Sequence, residues 1–143
     1  MVKSRKNYTK KVGRSSIFQK DVTIKFLELL MMVKLFHWKT LSYATHKATD
    51  ELYSKLNDHI DTFIEILLGK TAVRTNLLNK HKISLIDLST KEQLMNKINY
   101  YKSYLVGLST NPFIRSMSNT DLLNVRDELL GDLNQFMYLL TLN

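Results

Sequence analysis

The stretch that most constrains the fold is residues 45 to 69, THKATDELYSKLNDHIDTFIEILLG. It contains no Pro and no Gly before Gly69, and Leu52, Leu56, Ile60, Phe63, Ile64 and Leu67 recur at three- and four-residue steps. That period is the signature of an amphipathic α-helix, here of about six turns. Thr45 is its expected N-cap and Gly69 its expected C-terminal stop. A helix with one apolar stripe has to bury it against other helices. With one Pro and four Gly in 143 residues, the chain has the uninterrupted segments to supply them. The expected fold class is all-α, a four-helix bundle forming one domain.

The flanking segments fit that frame. A first helix is expected over residues 17 to 41, opened by the capping-box pair Ser16 and Gln19. Phe18, Val22, Phe26, Leu29, Leu30, Val33, Phe36 and Leu41 give it a broad apolar face, and Trp38 is expected in the core. A third helix over 90 to 108 starts at a second capping box, Ser89-Thr90-Lys91-Glu92, with Leu94, Ile98, Tyr101, Leu105 and Leu108 inward. Asn111-Pro112 marks a loop over 108 to 119. A fourth helix from Thr120 to Thr141 carries Leu122, Leu123, Val125, Leu129, Leu133, Phe136, Met137 and Leu140; Gly131 inside it marks either a close helix contact or a weak point. The long connection 70 to 89 has a weak helical pattern at its centre, with Val73, Leu77, Leu78, Ile83 and Leu85 apolar and His81 expected to be exposed.

Charge is distributed unevenly. The net charge is +8, and residues 1 to 20 hold seven basic residues and no acid, so 14 basic against 13 acidic residues leave the body at +1. Residues 1 to 15 lack apolar periodicity and are expected to be a disordered basic tail, with the bundle domain spanning 16 to 143. Lys3, Arg5, Lys6, Lys10, Lys11 and Arg14 are its candidate DNA-binding residues, acting on phosphates without reading sequence. The absence of cysteine excludes disulfides and thiolate metal sites and is compatible with a cytoplasmic protein. No segment has the length of apolar run needed to span a bilayer, and the N-terminus has no apolar signal core.

The second helix also carries His46, Asp50, Asp61 and Glu65, spaced by 4, 11 and 4 residues. At about 100° per residue they fall at roughly 0°, 40°, 60° and 100°, on one face. Asp50 and Asp61 are separated by roughly 16 Å along the axis, so one chain cannot place all four on one ion. Two half-sites on one face suit an antiparallel two-fold pairing, in which His46 and Asp50 of one copy meet Asp61 and Glu65 of another. His59 lies at roughly 220°, off the stripe, and is given no ligand role; Glu51 and Asp58 sit at its edge. The larger intra-bundle di-iron pattern is missing, since Glu28, Glu92 and Glu128 are followed three residues later by Met31, Met95 and Gly131 in place of His.

His37-Trp38, then H-x3-D at His46 and Asp50, then D-x3-E at Asp61 and Glu65, resembles the ferroxidase signature of the Dps family of mini-ferritins. The connection between the two histidines is shorter here than is usual in that family. The resemblance implies a ferritin-like topology with a long crossover between the second and third helices. It further implies a metal centre of His37, His46 and Asp50 from one subunit with Asp61 and Glu65 from its two-fold mate. By the same resemblance the chain would form a homo-oligomer, a hollow dodecamer that oxidises Fe(II) with hydrogen peroxide or oxygen, stores Fe(III) and binds DNA non-specifically, without membrane association. Such ligands also accept Zn or Mn. Asp121, Asp127 and Asp132 are the acids the resemblance suggests for the route by which iron enters. A second class stays open: a helical structural or DNA-packaging protein, including one from a DNA virus, with the same bundle and no iron storage.

Overall fold

The computed structural model describes residues 2–77 and 82–142, with side chains described from residue 13 onward. The helices are α1 (Val2–Lys39), α2 (Tyr43–Thr71), α3 (Lys91–Gly107), the single turn α4 (Pro112–Arg115) and α5 (Thr120–Leu139). The four long ones pack as a bundle. At one end Gln19 Nε2 donates to Thr71 Oγ1 over 2.6 Å, and at the other His37 meets His46, so α1 and α2 are antiparallel. Lys70 pairs with Asp121 and Lys55 with Gln135, which sets α5 antiparallel to α2. α3 starts beside the α1–α2 turn, since Lys91 and Ser42 line one groove. It therefore runs parallel to α2, and the connection from residue 72 to 90 has to travel the length of the bundle.

The core follows the apolar stripes. Leu52, Leu56, Ile60, Phe63 and Leu67 of α2 are buried against Phe18, Val22, Phe26, Leu29, Met32, Val33 and Phe36 of α1 and the inward residues of α3 and α5. Burial of each such side chain stabilises the bundle by about 1.5–3 kcal/mol, before the opposing loss of chain entropy. Phe26 meets Phe63 edge-on at 5.3 Å, tying α1 to α2, and Phe18 stacks on Phe113 at 4.9 Å, tying α4 under α1. Arg126, 8% exposed, donates to the Leu105 carbonyl and to Ser109 Oγ, and so closes the C-terminal end of α3 from α5.

The helix ends differ from the sequence reading. α2 begins after Ser42, whose hydroxyl accepts the Thr45 amide, so Ser42 and not Thr45 is the N-cap. It runs through Gly69 and stops at Ala72, which takes the left-handed conformation with φ 55°. Ser16 is no helix start: the helix is continuous from Val2, and the expected boundary between 15 and 16 falls inside it. Lys, Arg and Asn are tolerated in helices, residues 2–12 contain no Gly or Pro, and Ser15 and Gln19 are buried on the α2-facing side. α1 ends at Lys39, which leaves Leu41 fully exposed in the turn. Trp38 is 69% exposed and not in the core. Phe36 faces inward, and a residue two positions on lies about 200° round the helix.

Thr90, one residue later than expected, caps α3, in a capping box whose second member is Gln93. The expected loop over 108 to 119 contains a 3-10 turn and α4, capped by Asn111 with Pro112 in the first helical position. No helix forms in the connection over 72–77 or 82–89, where Ile86 and Leu88 are half-buried against the core; Leu78 and His81 lie outside the described residues. A Cβ added at Gly131 would meet nothing within 4 Å, so it marks no close helix contact. Among the described residues no helix is long and apolar enough to cross a membrane.

Candidate metal centre

His37 and His46 are brought together by the tight turn. Only residues 40 to 42 separate the two helices, and the imidazoles stack with centroids 3.9 Å apart and planes 19° from parallel. The pairing is reciprocal: His37 Nδ1 lies 2.9 Å from the His46 carbonyl, and His46 Nδ1 lies 3.0 Å from the His37 carbonyl. A carbonyl can only accept, so each Nδ1 carries its proton. Thr49 Oγ1, 3.1 Å away, accepts from the same His37 nitrogen, while its own hydrogen goes to the Thr45 or His46 carbonyl. In both rings Nε2 is thereby the nitrogen with the lone pair. Metal-bound histidines are commonly held in this way, with the far nitrogen donating to a backbone carbonyl.

The carboxylates of the stripe are on the outside of α2. Asp50, Asp61 and Glu65 are exposed, and among the described residues none of them makes an ion pair or side-chain hydrogen bond. The neighbouring acids behave otherwise: Glu51 pairs with Lys55 at 2.8 Å, and Asp87 pairs with Lys39. Oxygen and imidazole donors with open lone pairs fit Fe(II), Zn or Mn. Within one chain they do not converge. Among the described residues no three His, Asp or Glu side chains form a group able to hold an ion, the trio His37, His46 and Asp50 included, and Asp61 lies roughly 16 Å along the helix from Asp50.

The three acids of α5 named as an iron route are all engaged. Asp121 binds Lys70 at 2.9 Å, and that hydrogen bond holds its carboxyl below the usual carboxylate range. Asp127 accepts from Arg126 Nε at 2.7 Å. Asp132 is only 9% exposed and lies 2.5 Å from His59 Nδ1. Asp121 and Asp132 join α5 to α2, whereas Asp127 pairs within α5. The sequence reading missed the His59–Asp132 contact; its only signal was that His59 lies off the ligand stripe, on the side that meets α5. Of the candidate DNA-binding residues, Arg14 is exposed, and the side chains of Lys3, Arg5, Lys6, Lys10 and Lys11 lie outside the described residues.

No curated protein and no solved structure matches the chain. A family model does match, over residues 37–140, a span that begins at His37 and takes in all five candidate ligands. The chain belongs to that family, DUF5856, a family of unknown function.

Proposed function

We propose that this protein is a Dps-like iron-oxidising and iron-storing protein, acting on Fe(II) as its substrate at sites shared between two copies, with non-specific DNA binding through its basic N-terminal segment. The observation that carries the reading is the reciprocal pair of His37 at the end of α1 and His46 at the start of α2, both rings in the tautomer that leaves Nε2 free, with the unpaired Asp50, Asp61 and Glu65 further along α2. His37, His46 and Asp50 form one half of the site. Asp61 and Glu65 form the other, and an antiparallel second α2 brings the halves together twice per dimer. The imidazoles and carboxylates bind the metal, and the added negative charge of the carboxylates favours the Fe(III) product. A twelve-subunit assembly of 16.7 kDa chains has a mass of about 200 kDa.

A second reading, a helical structural or DNA-packaging protein with no iron storage, is favoured by the lack of a three-ligand group among the described residues of one chain. Subunit mixing separates the two. His46→Ala and Asp61→Ala chains are each inactive in Fe(II) oxidation under the first reading, and co-refolded mixtures regain activity because a mixed dimer keeps one intact site. Mixtures that stay inactive while forming the native assembly overturn the shared site. A wild-type protein with no Fe(II) oxidation and no iron after growth in iron-rich medium supports the second reading.

A further inference from the structure

The side of α1 that faces away from the bundle is apolar. α1 meets α2 at Phe26 and His37, and it meets α3 at Lys25, which donates to the Tyr100 hydroxyl. Away from those contacts, roughly 100–180° round the helix from Phe26, lie Ile17, Ile24, Leu27, Met31, Leu35 and Trp38. Ile17, Met31 and Trp38 are 64%, 40% and 69% exposed, and the other three are half-buried. A continuous apolar stripe open to water marks a contact surface.

Two observations say what covers it. The first is symmetry about Met31. Ile24 and Trp38 stand seven residues to either side, Leu27 and Leu35 four, and Glu28 and Lys34, three to either side, carry opposite charges. A two-fold contact sets each residue against its mirror position, so the stripe complements an antiparallel copy of itself in apolar surface and in charge. The second is its level in the bundle. Interpolation between the Phe26–Phe63 and His37–His46 contacts puts Met31 beside about residue 55 of α2. The midpoints between His46 and Glu65, and between Asp50 and Asp61, both fall between residues 55 and 56. Lys34, over the Tyr53 ring at 4.5 Å, marks the edge where α1 adjoins α2. The apolar stripe of α1 and the ligand stripe of α2 both begin just past that edge, so they face the same way.

We propose that the outer stripe of α1 is a self-docking seam, on which α1 of a second copy lies antiparallel. Met31 sits at the two-fold axis, Ile24 packs on the partner's Trp38, and Glu28 pairs with the partner's Lys34. This seam rests on the shared-site reading, whose α2 pairing has the same centre, and supplies the contact that holds the two half-sites in register.

The chain has no cysteine, so a single introduced thiol tests the register. Metal-free Met31→Cys protein treated with a short bismaleimide should give a covalent dimer on a denaturing gel, since facing helices pack about 8–10 Å apart. Val106→Cys, 59% exposed on α3, should give none. In sedimentation velocity Met31→Asp, which sets two like charges face to face at the axis, should weaken self-association by about a hundredfold or more. Glu28→Lys should weaken it about tenfold, and adding Lys34→Glu should restore it. Circular dichroism unchanged from wild type confirms that each variant is folded. Absence of the cross-link at residue 31 overturns the seam, as does an assembly that Met31→Asp leaves intact. Fe(II) oxidation by mixed His46→Ala and Asp61→Ala chains separates the two ideas. Activity regained even when both chains also carry Met31→Asp keeps the shared site and overturns the seam. Cross-linked Met31→Cys dimers with no Fe(II) oxidation keep the seam and overturn the iron reading.

Discussion

His46 and His59 lie on the same helix, and their surroundings give them opposite chemistry. His46 stacks on His37 and gives its Nδ1 proton to a backbone carbonyl, which leaves a lone pair on Nε2 beside the unpaired acids of the stripe. His59 presents its Nδ1 to the carboxylate of Asp132 at 2.5 Å, joining α2 to α5 at a point where Asp132 is nearly buried. Either acceptor orients an imidazole through Nδ1. Asp132 lies on α5, so the His59 pair holds two helices together. Position on α2, His46 on the stripe of unpaired acids and His59 off it against α5, separates the candidate ligand from the structural cross-link.

The largest expected effect tests the first half of that comparison. Asp61→Ala and Glu65→Ala should each lower the rate of Fe(II) oxidation by about a hundredfold or more, at least the loss seen when a ligand's supporting partner is removed. Both side chains are exposed and unpaired, so Tm should hardly change. His59→Ala, assayed in parallel as folded protein, should keep its rate within about twofold. Equal losses in all three would erase the distinction between the two histidines.

Stability should show the reverse order. His59→Ala leaves the buried Asp132 carboxylate without its partner and should lower the unfolding free energy by about 2 kcal/mol, read from the urea midpoint at fixed protein concentration. A smaller effect of opposite sign sharpens the measurement. Gly69→Ala lies in the last turn of α2 with nothing within 4 Å of the added Cβ, so it should stabilise by at most about 0.8–1 kcal/mol, the value for a helix interior. Combined with His59→Ala it should restore that amount additively, since the two positions share no partner. A non-additive result would mean that the His59 link governs the end of the helix as well.

The smallest effect comes from the exposed counterpart of the buried link. Lys70–Asp121 also joins α2 to α5, but Asp121 is open to solvent. Asp121→Asn should reduce Tm slightly at low salt and not measurably at physiological ionic strength. The Asp121 carboxyl is held below its usual range, so the pair's contribution is present above the unfolded carboxyl's pKa and is lost as pH falls through the folded one. The wild-type and Asp121→Asn thermal curves should therefore converge in acid. A loss as large as that of His59→Ala would show that burial is not what separates the two links.

Much of the molecule follows from local periodicity. The α2 stripe of Leu52, Leu56, Ile60, Phe63 and Leu67 determined an amphipathic helix, and matching stripes in α1, α3 and α5 determined an all-α bundle with a long connection. The same periodicity put His46, Asp50, Asp61 and Glu65 on one side of α2 and kept His59 off it. These are properties of a single helix, fixed by about 100° of turn per residue whatever it packs against.

Helix ends and partners were set by tertiary structure. Several residues near each terminus can serve as caps, and Ser42, Ala72 and the Thr90–Gln93 box prevailed over Thr45, Gly69 and the Ser89–Glu92 pair by margins that propensity does not resolve. Trp38 faces solvent because Phe36 occupies the inward direction. The stacking of His37 on His46 depends on how tightly residues 40 to 42 turn the chain. The meeting of His59 with Asp132, 73 residues away, depends on the register of α5 against α2. The convergence of two helix starts on one groove depends on a connection that returns α3 to the end where α2 began. Such contacts join segments whose patterns carry no record of one another, so only the packed bundle decides them.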